Sequence, residues 1–386
     1  MTHKLNLHRD LVTTIRQEIR ELYASVAFAD MASALAVLFE PIILYKVLGL
    51  NVMQILMFMA SIYALQVLLL PLGAAISSRF GYMHTIFLSI PFMVLYWLLL
   101  YGAQFDFNLI YLAPVVYGIE KALFWPAFHA SAARYVDVKK KAESRKPGRD
   151  GLYGMVMLMR ILGPVIGGFV GYYLGLGIVL LLAAAMFLTS LLPLLVSKEI
   201  YAPGNYNFND TWEIYKRYPK RFISYLGSGE EIIIMTIWPI LIYFYTGNVA
   251  ITGLIVSASA AVTALLLLVI KRPVDLPGKL MLLKVGTFVY TLANLLRLAV
   301  NGFYGLFVVD ALGRTTKELI SIPLTTLTYE RAEKNQILPY VVFYQQSAAL
   351  GKCLAAVLAV VVFGLTGSLP AVFILAGAFT MLYMLA

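Results

Sequence analysis

Seven acids stand inside apolar stretches of this chain: Asp30, Glu40, Glu120, Glu230, Glu231, Asp310 and Glu318. Seven bases stand among them: Lys121, Arg160, Lys284, Arg297, Arg314, Lys317 and Lys352. In hydrocarbon a charged side chain costs at least about 2.5–3.5 kcal/mol on insertion scales, so each needs a partner or a water-filled cavity. Helical geometry sorts them. At about 100° per residue, Asp30, Ser33, Val37 and Glu40 share an arc of about 80°. Asp310, Arg314, Lys317, Ser321 and Thr328 share a stripe on another stretch. Carboxylates so placed can exchange a proton for a cation, because desolvation disfavours their charged form and an approaching cation favours it. Asp30 and Glu231 lie within about 10 Å of the middle of their stretches by rise per residue, so one of them is expected to carry a coupling proton. Lys284 and Arg297 lie near stretch ends and are expected to snorkel.

Other chemistry has little foothold. The chain holds no G-x-S-x-G, no H-E-x-x-H and no nucleotide-binding glycine loop, so no enzyme activity and no cofactor is expected. His3, His8, His84 and His129 are scattered; no second ligand is spaced to join His129 at a metal, and a hydrogen-bonded or cavity-lining role is expected for it. The single cysteine, Cys353, sits in an apolar stretch and excludes an internal disulfide.

The elements that must hold these charges are membrane spans. The 386 residues are 61% hydrophobic and 13% charged, too apolar for a soluble domain of this length. A spanning helix needs about 20 mostly apolar residues. Twelve stretches qualify: 24–48, 52–77, 82–102, 108–135, 151–175, 177–196, 222–246, 249–270, 280–301, 303–329, 337–365 and 369–386. Alternate connections are basic. Arg79, the seven bases of 134–149, five in 198–221, Lys271, Arg272, Lys279, Arg331 and Lys334 fall on one side with Lys4, Arg9, Arg16 and Arg20, whereas Lys46 alone marks the other. Lys and Arg stay cytoplasmic during insertion, so the N-terminus is expected inside, most simply of the plasma (inner) membrane. This pattern accounts for the net charge of +10 without a nucleic-acid partner. The expected division is a cytoplasmic segment 1–23, with an interfacial helix or a solvated tail over 5–22, then six-helix bundles 24–196 and 222–386 joined by a linker 197–221. The last span is barely long enough and has no tail after it, as in a chain cut short at that end.

The two halves repeat. Residues 37–49, VLFEPIILYKVLG, parallel 235–247, MTIWPILIYFYTG, with Pro41 opposite Pro239; Asn51-Val52 parallels Asn248-Val249, and FWPAFHASAARY aligns with SIPLTTLTYERA at Pro126 and Pro323. Parallel repeats place a site at their interface near the bilayer midplane. In the fifth stretch, Gly163-Pro164-Val165-Ile166-Gly167-Gly168 resembles the GPxxGG signature of major facilitator superfamily transporters, commonest in the proton-coupled drug exporters. Its small residues let helices approach closely. The loop signature G-x-x-x-D-R-x-G keeps Arg79 and Gly81 but has Ala74 and Ser78 for its first glycine and its aspartate.

That resemblance implies an all-α fold of twelve helices in two parallel repeats, with spans one, four, seven and ten lining a cavity. The cavity faces then carry Asp30, Glu40, Glu120, Glu231, Trp238, Asp310, Arg314 and Lys317. Glu120-Lys121 aligns with Lys317-Glu318 in reversed order, so Glu120 and Lys317 are expected to oppose each other and form a breakable gate, unless each has a fixed partner. Pro41 and Pro239 suit either a moving outer gate or a fixed kink. Arg160 and Lys352 lie off these faces and either bind an anionic group or pair structurally. Five acids against two bases on the four faces favour a cation. The expected function is secondary active transport by alternating access: a monomeric, proton-coupled exporter of amphipathic or cationic small molecules, its other partners being protons and the lipid bilayer. An ion-coupled importer of a small polar metabolite, or a lipid-handling or non-transporting membrane protein, remains the alternative.

Overall fold

The computed structural model describes residues 20–141, 149–195, 204–269 and 278–386, with side chains at 20–134, 158–195, 204–267 and 278–386. The expected interfacial helix over 5–22 lies almost wholly outside them. The described residues form helices α1 (20–36), α2 (Glu40–Lys46), α3 (Val52–Phe80), α4 (Tyr82–Gly102), α5 (Leu109–Lys141), α6 (Arg149–Tyr173), α7 (Leu176–Thr189) and α8 (Leu191–Leu195). After these come α9 (Phe208–Arg217), α10 (Pro219–Leu226), α11 (Gly229–Thr246), α12 (Val249–Val269), α13 (Lys279–Leu296), α14 (Gly302–Lys334), α15 (Ile337–Thr366) and α16 (Val372–Met381).

Eight of the helical segments are long and apolar enough to cross a membrane, and Leu158–Tyr173 and Val372–Leu385 are shorter apolar helices. The two 33-residue helices α5 and α14 carry the charges Glu120, Lys121, Asp310, Arg314, Lys317 and Glu318 within their length. The expected count of twelve spans fits these elements, and the chain is a multi-pass membrane protein.

Local chemistry sets the breaks. Asn51 accepts the Gln54 N–H at 2.9 Å while Gln54 Oε1 accepts the Asn51 N–H at 2.8 Å, a reciprocal cap that starts α3. Gly49 (φ +71°) and Gly247 (φ +62°) hold left-handed turns at matching places of the repeat, where a side chain would be strained. Pro41 lacks an N–H and its ring crowds the carbonyl four residues back, which is why the first span breaks into turns at 37–39 between α1 and α2. At the repeated position Pro239 lies inside an unbroken α11.

Helix packing joins the halves along two seams. One is α3 against α15, the other α6 against α12. In the first, Pro71 leaves the Val67 carbonyl without its helical donor, and Gln346 Nε2 from α15 supplies one at 2.9 Å. In the second, the Gly163–Gly168 motif does what its small residues allow. Gly163 and Gly167 lie against the backbone of Ala34 and Leu35 on α1, while Gly168 touches Val249 and Gly253 of α12. A side chain on Gly253 would collide with the Pro164 carbonyl. Gly253→Val is therefore expected to cost about 1–3 kcal/mol by overpacking, read as a lowered midpoint of thermal unfolding in detergent. An unchanged midpoint would mean that the seam is loose.

The helices also meet at both ends. At the charge-poor end Tyr45 lies edge-on to Phe244 with ring centroids 5.0 Å apart. At the basic end α5 meets α14 and α15. There Ser78, standing where the resembled loop has aspartate, anchors the linker instead: its carbonyl accepts the Gly204 N–H at 2.9 Å and its hydroxyl the Tyr206 N–H at 3.2 Å. Thr211 of α9 continues the strap by donating to the Pro339 carbonyl of α15 at 3.3 Å. Beneath it a cavity of about 380 Å³ is lined by Ser77, Ser78, Tyr82, Arg134, Tyr206 and Gln336, among others. Arg79 is exposed beside it, and Gly81 (φ +100°) makes the sharp reversal from α3 to α4.

Candidate functional site

The buried charges fall into four groups. In the first, Arg160 on α6 reaches Asp30 on α1, Nη2 to Oδ2 3.9 Å, with side chains 53% and 38% exposed. The pair is the most exposed of the four.

The second group lies within the N-terminal helices. Turns at 37–39 interrupt the helix between Asp30 and Glu40, whose shared arc assumed an uninterrupted one. Glu40 is instead buried and accepts the Tyr96 hydroxyl of α4 at 2.6 Å. Tyr96 stacks on Tyr117, with centroids 4.2 Å apart, and Lys121 lies over Tyr117 at 4.1 Å and Tyr63 at 5.4 Å. Glu120 is buried next to it in the chain. Among the described residues, neither Glu120 nor Lys121 has an ion-pair partner within 4.0 Å.

The third group is the densest. Lys317 of α14 bonds Glu230 and lies 2.9 Å from Glu231 Oε1; Lys352 of α15 lies 2.7 Å from Glu231 Oε2. Glu230 is 0% exposed and also accepts the Tyr290 hydroxyl at 2.8 Å, so it faces a neighbouring helix, α13. Lys317 is thus occupied by the two glutamates of α11, and the expected pairing with Glu120 is not made in this conformation.

In the fourth group Trp238 Nε1 donates to Asp310 at 2.9 Å and Arg314 Nε donates to the other carboxylate oxygen at 2.7 Å. Trp238 and Asp310 are buried, so they support Arg314 rather than line open space. Arg297 was expected to snorkel. It is 2% exposed, lies 5.0 Å from the Trp238 ring centroid and donates to Asn294, because the helix end that carries it is packed inside the bundle. Lys284 is exposed, as expected, and Glu318 has no ion-pair partner among the described residues.

One count from sequence changes as a result. Arg160 and Lys352, placed off the cavity faces, contribute their charges to Asp30 and Glu231, so the excess of acids over bases that favoured a cation shrinks from three to one. The tyrosines Tyr63, Tyr96, Tyr117 and Tyr290 hold the charged groups in place, yet nothing distinguishes them among 25 tyrosines in the sequence. His129 meets its expectation of a hydrogen bond: Nδ1 lies 2.7 Å from the Tyr329 hydroxyl of α14. Among the described residues no three His, Cys, Asp or Glu gather as a metal site.

Solved structures with the same arrangement exist. The human organic anion transporter MFSD10 superposes with a TM-score of 0.69 at 14% identity, over 96% of this chain and 99% of its own. A point variant of the nucleoside transporter NupG superposes with a TM-score of 0.72 at 11% identity, over 95% of this chain and 98% of its own. No family model matches the sequence, and no curated protein does. At such identities the likeness shows the fold, which is the major facilitator fold expected from the repeat and the glycine motif.

Proposed function

We propose that this protein is a secondary active transporter that works by alternating access, a proton-coupled exporter of amphipathic small molecules. The observation that carries the reading is a set of charged side chains in both repeats held in partly exposed ion pairs, Asp30–Arg160 in one and Glu231 with Lys317 and Lys352 in the other. A static membrane scaffold has no use for charges that cost kilocalories to place. Both solved neighbours are transporters by their names, which supports the same reading. Export rather than import rests on the Gly163–Gly168 motif.

Asp30 is the coupling carboxylate in this reading. Glu231 is engaged by two ammonium groups at 2.7 and 2.9 Å, whereas Asp30 faces one guanidinium at the edge of ion-pair distance and is 38% exposed. Proteoliposomes under an imposed pH gradient test it with two permanently charged aromatic probes, 2-naphthalenesulfonate and 1-methylquinolinium. The wild type is expected to accumulate one of them against its gradient. Asp30→Asn is expected to abolish accumulation while leaving passive exchange of the probe. Accumulation that survives Asp30→Asn removes Asp30 from coupling, and equal levels of both probes in protein-containing and empty vesicles overturn the transporter reading.

A further inference from the structure

The third charge group has the form of an oxyanion site with an internal occupant. Each carboxylate oxygen of Glu231 takes one ammonium, Lys317 on Oε1 at 2.9 Å and Lys352 on Oε2 at 2.7 Å. Charge-assisted bonds to both oxygens of one carboxylate are how proteins hold carboxylates, sulfonates and phosphates. The occupant comes from α11, one base from α14 and the other from α15, so the site depends on how those helices stand together.

We infer that the anionic group of the substrate, a carboxylate, sulfonate or phosphate monoester on an aromatic body, takes the place of Glu231 between Lys317 and Lys352. This rests on the transporter reading above and names its substrate class.

Three observations carry the step. The first is charge. Glu230 is fully buried and bonded to both Lys317 and Tyr290, so it stays as a fixed counter-ion when Glu231 leaves. Two lysines against one glutamate leave a single positive charge, which suits a monoanion. The second is access. The side chains of Glu231, Lys317 and Lys352 are 27%, 20% and 20% exposed, whereas that of Glu230 is 0% exposed. Only the Glu231 side of the cluster opens to a ligand.

The third is the wall beside it. Lys352 lies 5.2 Å from the Tyr63 ring centroid and Lys121 lies 5.4 Å from the same centroid. Lys121 is 7% exposed and, among the described residues, has no acid within ion-pair distance; its neighbours Glu40 and Glu120 belong to its own half. The Tyr63 ring thus carries one ammonium from each half, which places the Glu231 cluster where the two halves meet.

Purified full-length protein in detergent, titrated with 2-naphthalenesulfonate by calorimetry, tests the inference apart from transport. Glu231→Gln removes the internal competitor and is expected to tighten binding about 10-fold, the worth of about 1.4 kcal/mol. Lys352→Ala is expected to weaken it at least about 10-fold, with partial recovery in Lys352→Arg. The cation 1-methylquinolinium is expected neither to bind nor to compete. Each variant is first melted to confirm that it is folded. Unchanged affinity in both folded variants, or binding of the cation that Glu231→Gln abolishes, overturns the site. Wild-type binding without accumulation in vesicles would instead overturn the transporter reading and leave the anion site standing.

Discussion

Lys317→Ala is expected to destabilise the folded protein by about 3–5 kcal/mol, because it strips the principal counter-charge from a glutamate that has no route to water. Glu230 is 0% exposed, and Lys317 and the Tyr290 hydroxyl at 2.8 Å are its partners. With Lys317 gone, one neutral donor faces a carboxylate inside a membrane bundle. Marginal stabilities of about 5–15 kcal/mol make such a loss close to fatal. The matching double variant, Lys317→Met with Glu230→Gln, removes both charges and is expected to recover most of the stability, since the cost lies in the stranded charge. Lys352→Ala is expected to be far milder. Glu231 keeps Lys317 at 2.9 Å and is partly open to water. Thermal unfolding of the four proteins in one detergent checks the ordering. A Lys317→Ala midpoint within about 2 °C of wild type would mean that Glu230 is held by something other than this pair.

The contrast between Lys317 and Lys352 marks what was legible in the chain and what was not. Span limits follow from one-dimensional signals, apolar runs stopped by Gly and Asn. The stretch 82–102 is the observed Tyr82–Gly102, and 337–365 ends one residue before Thr366. The charges themselves were legible because a charge in an apolar run is conspicuous. Their partners were not, since a pair such as Arg160–Asp30 joins residues far apart in the chain that only packing brings together. The arc through Asp30 and Glu40 assumed one regular helix, whereas turns at 37–39 before Pro41 interrupt it, although Pro239 at the repeated position does not break α11. Arg297 misled for a different reason. Distance from a span's end does not reveal whether that end reaches water or is covered by Trp238 and Phe373.

Tethering the halves at either end is expected to stop transport completely and reversibly. Two kinds of contact join the halves, and they differ in what they allow. Along the seams the backbones approach too closely for a side chain, as where Gly253 meets Pro164, and a freed carbonyl is satisfied across the gap by Gln346. Such contacts tolerate rotation about themselves but not separation. At the ends the contacts include side-chain tips, the Tyr45–Phe244 rings and the His129–Tyr329 hydrogen bond, which can part without separating backbones. On the alternating-access reading proposed above, the seams serve as pivots and the ends as gates. In a Cys353→Ser background, Tyr45→Cys with Phe244→Cys, or His129→Cys with Tyr329→Cys, can be joined by a short reversible thiosulfonate linker. Each tether is expected to cut accumulation of the aromatic probe to the level of empty vesicles, and reduction to restore it. The four single cysteines under the same reagent are expected to keep their activity. Transport that persists with one end tied would show that the ligand's path does not run between the halves at that end, and the pivots would have to be sought within one bundle instead.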